Sequence, residues 1–120
     1  MISPVQLRPA DIGLEGVREV AYVQAIDEAR RIYLASVAPR LAGSTRLLHL
    51  EFDHENAWME GDQVSAEVWL DEADATTFAL RFRLGTTAHT LCVGRSLEEA
   101  VDSEKRKRPL TSDELLALRG

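Results

Sequence analysis

The chain has 120 residues, 45% of them hydrophobic, and a formal net charge of -6, enough for one domain with a single core and too little for two. The acidic balance excludes a general nucleic-acid binder, whose electrostatic footprint is clustered positive charge. No apolar run approaches a membrane span and the N-terminus lacks the basic-then-apolar layout of a signal peptide, so a cytoplasmic protein is the expectation.

The first element read from the pattern is a short strand over Val5 to Leu7. Val17 to Val37 then reads as one long helix: Tyr22, Ala25, Ile26, Ala29, Tyr33 and Val37 recur at three- and four-residue intervals, while Gln24, Asp27, Glu28 and Arg31 occupy the other side. Asp27 with Arg30 or Arg31, and Glu28 with Arg31, stand at helix-neighbour spacings and read as a solvated, salt-bridged face. Pro39 cannot continue the helix and Gly43 suits a reversing backbone, so the helix stops there.

From Arg46 the period changes to two. Leu48, Leu50 and Phe52 alternate with His49, Glu51 and Asp53, and Glu60-Gly61-Asp62 breaks the chain before Val64, Ala66, Val68 and Leu70, which alternate with Ser65, Glu67 and Trp69. The polar run Asp71 to Asp74 makes a hairpin connection to Thr76, Phe78, Leu80, Phe82 and Leu84, opposed by Thr77, Ala79, Arg81 and Arg83. Gly85 begins a turn and Ala88 to Val93 reads as a further strand. These are half-buried antiparallel strands, so the class is α+β. The lone Cys92 has no disulfide partner and reads as a small buried hydrophobe. Lys105 to Arg108 is a basic run that reads as a solvated linker, with attraction of a phosphate-bearing ligand as the alternative. A short helix over Ser112 to Leu118 closes the chain, with Ser112 as N-cap and Asp113 and Glu114 in its first turn.

Several stretches together carry a family resemblance. YVQAIDEARRIYL, from Tyr22 to Leu34, resembles the central helix of hotdog-fold acyl-CoA thioesterases, particularly the 4-hydroxybenzoyl-CoA thioesterase-like group. LHLEFDHENAWMEGDQVSAEVWL, from Leu48 to Leu70, resembles the family's second strand, Gly-Asp turn and third strand, and DEADATTFALRFRL and KRPLTSDELLAL resemble its next hairpin and its ending. The resemblance implies a hotdog fold, a long central helix wrapped by a curved antiparallel sheet of about five strands. It also implies a homodimer or homotetramer and an acyl-CoA or other acyl-thioester substrate held at the dimer interface; no metal and no cofactor are expected from the residues. Pairing of an open sheet edge across a two-fold axis is one way to protect that edge.

The family's helix entrance typically carries an Asp-x-Asp-x-x-Gly-His-Val-Asn-Asn pattern. Aligning Asp11 and Gly16 with it puts Gly13 where the catalytic acid stands, leaves the histidine without a counterpart and replaces the asparagines by Arg18 and Glu19. Glu15 and Glu19 are then the nearest carboxylates able to activate water or attack the carbonyl, with Asp11 farther off. Acids in a first helical turn are also common simply because they favour the dipole. Backbone amides near Arg18 and Glu19 offer donors for an oxyanion, and the substrate would contact Gly16, Val17, Arg18 and Tyr22. Arg18 is read as an anion contact or a salt-bridge partner.

In the connection after the first long strand, His54 is a candidate proton carrier and Glu55 a candidate base, or both belong to an exposed turn. Asn56 and Trp58, with Met59, are candidate pocket or interface residues. Trp69 faces outward and suggests a contact surface; Arg81, Arg83 and Arg95 are read as cross-strand partners of acids such as Glu67 ahead of contacts to coenzyme A phosphates. His49 and His89 lack metal-ligand spacing. Three readings follow: a hydrolase using Glu15 or Glu19, a non-hydrolytic binding or assembly protein, and a related hydratase or dehydratase.

Overall fold

The computed structural model describes residues 1–13 and 16–120. Strand β1 (Ile2–Val5) leads through a 3-10 turn at Pro9–Asp11 to a tiny hairpin, β2 (Ile12–Gly13) and β3 (Gly16–Val17). Helix α1 (Glu19–Val37) follows, then four long strands, β4 (Thr45–His54), β5 (Val64–Ala73), β6 (Thr77–Gly85) and β7 (Thr90–Ala100), and helix α2 (Ser112–Arg119). The main sheet has the order β1-β5-β6-β7-β4 with every neighbouring pair antiparallel. The architecture is therefore α+β, one long helix against a five-stranded antiparallel sheet.

The apolar stripe of α1 is buried as its spacing requires: Tyr22, Ala25, Ile26, Ala29, Tyr33 and Leu34 all lie in the core. They meet Val64, Ala66 and Val68 of β5 and Phe78, Leu80, Phe82 and Leu84 of β6. The opposite row of β5 and β6 is more open, apart from the buried Ala79, with Trp69 paired to Arg81 in the ladder and 40% exposed. No helix among the described residues is long and apolar enough to cross a membrane.

Several boundaries differ from the pattern. Helix α1 begins after Val17, because Val17 pairs with Ile12 across a hairpin in which Gly16 holds φ +105, a left-handed conformation that glycine tolerates without strain. The N-terminal strand is Ile2–Val5, not Val5 to Leu7, and pairs with Glu67 to Val64. His54 closes β4 instead of belonging to the connection after it. Strand β7 continues to Ala100 instead of stopping at Val93. A Cβ at Gly94 would lie 2.1 Å from the Glu51 carbonyl oxygen and 2.6 Å from the Phe82 ring, so the glycine admits that ring and does not end the strand.

The inner row of β7 is Cys92, Gly94, Ser96 and Glu98, opposite Leu84, Phe82, Leu80 and Phe78. It carries a carboxylate into the core, and α1 answers it. Arg30, expected on a solvated face with Asp27, is 6% exposed. Its Nε and Nη2 reach the two oxygens of the fully buried Glu98 at 3.0 and 2.9 Å, while its Nη1 keeps Asp27 at 2.9 Å. Arg31 alone carries the expected solvated pair with Asp27.

Candidate active site

The first turn of α1 and the last residue of β4 meet. Glu19 Oε1 lies 2.8 Å from His54 Nε2, joining residues 35 positions apart in sequence. The imidazole is seated by aromatic edges: Tyr22 at 4.6 Å between ring centroids and perpendicular, and Phe52 at 5.4 Å. Such edge-on contacts fix a ring plane as well as a position. Both members of the pair remain partly open to solvent, within reach of water and ligand.

The segment after β4 is pinned to β7. The Glu55 and Asn56 amides donate to the Leu91 carbonyl at 2.8 and 3.3 Å, and the Asn56 side-chain amide donates to the Thr90 carbonyl at 2.7 Å. Trp58 follows, buried, with its backbone N–H donating to the Tyr22 hydroxyl at 3.1 Å. Burial raises the Tyr22 pKa, so the phenol keeps its proton as a donor. A cavity of about 410 Å³ opens here, lined by Val17, Glu19, Tyr22, His54, Asn56 and Trp58 among others.

The other sequence candidates are placed elsewhere. Glu15 lies outside the described residues. Asp11 is buried, accepts the Arg8 amide at 2.8 Å and lines a different groove. Its carbonyl accepts the Arg18 amide at 2.7 Å, which engages that donor within the fold. Gly16 and Arg18 do not line the cavity that holds Glu19. A Cβ built on Gly13 would meet Arg18 Cγ at 3.4 Å, ordinary contact, so no crowding dictates glycine there.

Cys92 pairs with His54 across the β4–β7 ladder and is fully buried. Burial, followed by the nearby Glu19 and Glu55 charges, pushes its thiol up to about 11, so it is no nucleophile at neutral pH. No group of His, Cys, Asp and Glu able to hold a metal ion occurs among the described residues. On the outer sheet face Arg81 and Arg95 pair with Asp71, and Arg95 also with Glu72; Arg83 donates to the Thr90 hydroxyl. The acids are thus those of the β5–β6 hairpin and not Glu67. In the basic run, Arg106 pairs with Asp102 and Glu104, and Arg108 with Glu114.

Sequence reasoning named Glu19 and His54 separately, as an acid beside an oxyanion site and a residue of an exposed turn. Their apposition had no local signal, because it depends on the tertiary fold bringing the last residues of β4 to the first turn of α1. Arg30 and Glu98 were missed as a pair for the same reason.

Residues 8–118 match the thioesterase-like superfamily. None of the curated proteins matches the sequence. Among solved structures, a thioesterase complexed with coenzyme A and Zn from Thermus thermophilus is similar at 17% identity and TM-score 0.88, over 98% of this chain and 91% of that one. A predicted thioesterase from Bacillus stearothermophilus is similar at 15% identity and TM-score 0.88, over 99% and 93%. A 1,4-dihydroxy-2-naphthoyl-CoA thioesterase from Synechocystis is similar at 20% identity and TM-score 0.79, over 98% and 94%. The fold is the hotdog fold.

Proposed function

This chain belongs to the thioesterase-like superfamily, and on that premise we propose that it hydrolyses an acyl-coenzyme A in the groove where Glu19 meets His54. The observation that carries the reading is that pair, 2.8 Å apart at the entrance of α1. Coenzyme A as the carrier is supported by its presence in the similar Thermus thermophilus thioesterase and by the thioester substrate of the Synechocystis one.

In the reaction, Glu19 accepts a proton from water as the water oxygen attacks the thioester carbonyl. The developing oxyanion faces the N-terminal amides of α1, where unpaired donors and the dipole favour negative charge, and the protonated Tyr22 hydroxyl adds a donor. The C–S bond breaks as the carbonyl re-forms, and the proton held by Glu19 passes through His54 to the departing thiolate. His54 thus holds the carboxylate in place for the first step and carries the proton in the second.

A homodimer would complete the groove. Strand β4 is an edge with Leu47 and Leu48 41% and 46% exposed, and pairing with the β4 of a second copy continues the sheet past His54. A tetramer would add the outer face around Trp69. Leu48→Lys puts a charge into that edge and is expected to give monomer mass by light scattering with unchanged helical circular dichroism; an unchanged mass would remove β4 as the interface.

The test of hydrolysis is thiol release from aliphatic and aromatic acyl-CoA substrates, with Glu19→Gln and His54→Gln. Each variant should lose about 10²–10⁴-fold in kcat, the usual weight of general acid–base catalysis. Unchanged rates in both would eliminate the pair. Gly13 favours a second reading, a protein that binds the acyl thioester without cleaving it; no wild-type turnover together with acyl-CoA retained in native mass spectrometry would establish that one.

A further inference from the structure

Trp58 is a wall shared by two cavities. On one side lies the groove of Glu19 and His54; on the other, a groove of about 460 Å³ runs between the N-terminal segment and α1. The second groove is floored by apolar side chains, the half-buried Val5 and Leu7 and the buried Ala21 and Ala25. Its rim is polar, but the rim cations are already engaged: Arg8 with Asp11 and Gln24, and Arg31 with Asp27. With the rim cations engaged and the acids Asp27 and Glu28 beside them, the rim does not suit a phosphate or carboxylate, and the floor is the part that suits an uncharged hydrocarbon tail.

The indole that separates the grooves is held by shape alone. The residue is 2% exposed, and its Nε1 is the one buried side-chain polar atom without a hydrogen-bond partner among the described residues. Its ring rests edge-on against Tyr22 at 5.1 Å, and only the backbone amide is tied to that residue. An unpaired buried donor is a cost that phenylalanine would avoid, so the contribution of this side chain lies in its bulk.

We infer that Trp58 determines acyl-chain length, closing the far end of the catalytic groove so that short acyl groups fill it, with the apolar floor of the groove beyond as the space its removal would join. The inference rests on the acyl-thioester reading of the Glu19 and His54 groove. Each additional buried methylene is worth on the order of fourfold in kcat/KM. Removal of the indole therefore shows as a shift of the length optimum, and not as a uniform change.

The experiment measures kcat/KM for straight-chain acyl-CoA substrates from butanoyl to dodecanoyl with wild type, Trp58→Ala and Trp58→Leu, and with Trp69→Phe as an outer-face control. Trp58→Ala should move the optimum by about four carbons, raising the long-to-short ratio on the order of 10²-fold. Trp58→Leu should move it part way, and serves alone if the alanine variant does not fold. Trp69→Phe should leave the profile as in wild type. A ratio changed by less than about threefold in the folded Trp58 variants overturns the inference. Calorimetric binding of non-hydrolysable S-alkyl-CoA thioethers over the same lengths reads the wall without turnover. An extended binding range without hydrolysis upholds Trp58 while refuting the hydrolase reading, and normal hydrolysis with an unmoved range does the reverse.

Discussion

Glu98→Gln isolates the charge of the buried carboxylate at nearly constant volume. Glu98 is fully buried, receives Arg30 through two nitrogens at 3.0 and 2.9 Å, and has the Ser96 and Thr45 hydroxyls at 3.3 and 3.4 Å. Breaking a buried pair from one side typically costs about 3–5 kcal/mol, because the remaining charge stays desolvated without compensation. Arg30 would retain Asp27 at 2.9 Å, and that carboxylate is partly open to water, which places the expected loss at about 3 kcal/mol. With an unfolding entropy of ~2.1 cal/mol/K per residue, the 120-residue chain loses about 4 °C of Tm per kcal/mol, so Tm should fall by about 12 °C. Urea and thermal unfolding at one fixed protein concentration would measure both, since association contributes to apparent stability. The double variant Arg30→Met with Glu98→Leu removes both charges and should recover to within about 1 kcal/mol of wild type or exceed it. A single variant within about 1 kcal/mol of wild type, or a double variant as unstable as the single, would refute the argument.

Glu114 gives a pH prediction. The Arg108 guanidinium, with the Thr111 amide, holds its carboxyl at about 2 in the folded chain. The folded value lies below the unfolded one of about 4.3, so the contribution is present above that pH and is lost as pH falls towards the folded value. Glu114→Gln should therefore lower stability near neutral pH and converge with wild type in acid; parallel urea midpoints across that window would contradict it. Cys92, fully buried and pushed up to about 11, should leave a disulfide reagent unreacted at about pH 8 until denaturant is added. Rapid labelling of the native chain would show that β7 opens locally.

The parts of the fold legible in the sequence are those whose burial is uniform along an element. In α1 and in β5 and β6, one face meets the core throughout, so the periods of 3.6 and 2 survive in the residue types. Strand β7 was legible only to Val93, because its inner row then runs Gly94, Ser96 and Glu98, residues chosen for a crossing ring and for Arg30. Arg30 in turn sits inside the apolar stripe, between Ile26 and Tyr33, yet its charge marks it as a surface residue until its partner is known. Polar residues satisfied inside a core invert the pattern on which sequence reading depends. The outward Trp69 and the buried Cys92 were legible, since neither depended on a distant partner.

Gly13 makes the location of the chemistry separable from its family pattern. A Cβ at Gly13 meets nothing nearer than Arg18 Cγ at 3.4 Å, so Gly13→Asp should fold with Tm within about 2 °C of wild type, the range of an unstrained surface change. Gly13 is outside the residues lining the Glu19 and His54 groove, and the exposed Arg18 is the neighbour that would capture the new carboxylate. Adding Gly13→Asp to Glu19→Gln should consequently leave the rate as low as Glu19→Gln alone in the thiol-release assay. Recovery towards the wild-type rate would mean that the reacting carbonyl lies at the β2–β3 hairpin and not beside His54. If the rate stays low, the carboxylate that matters has moved one element along the chain, from the hairpin to the first turn of α1, where an imidazole from the edge strand meets it.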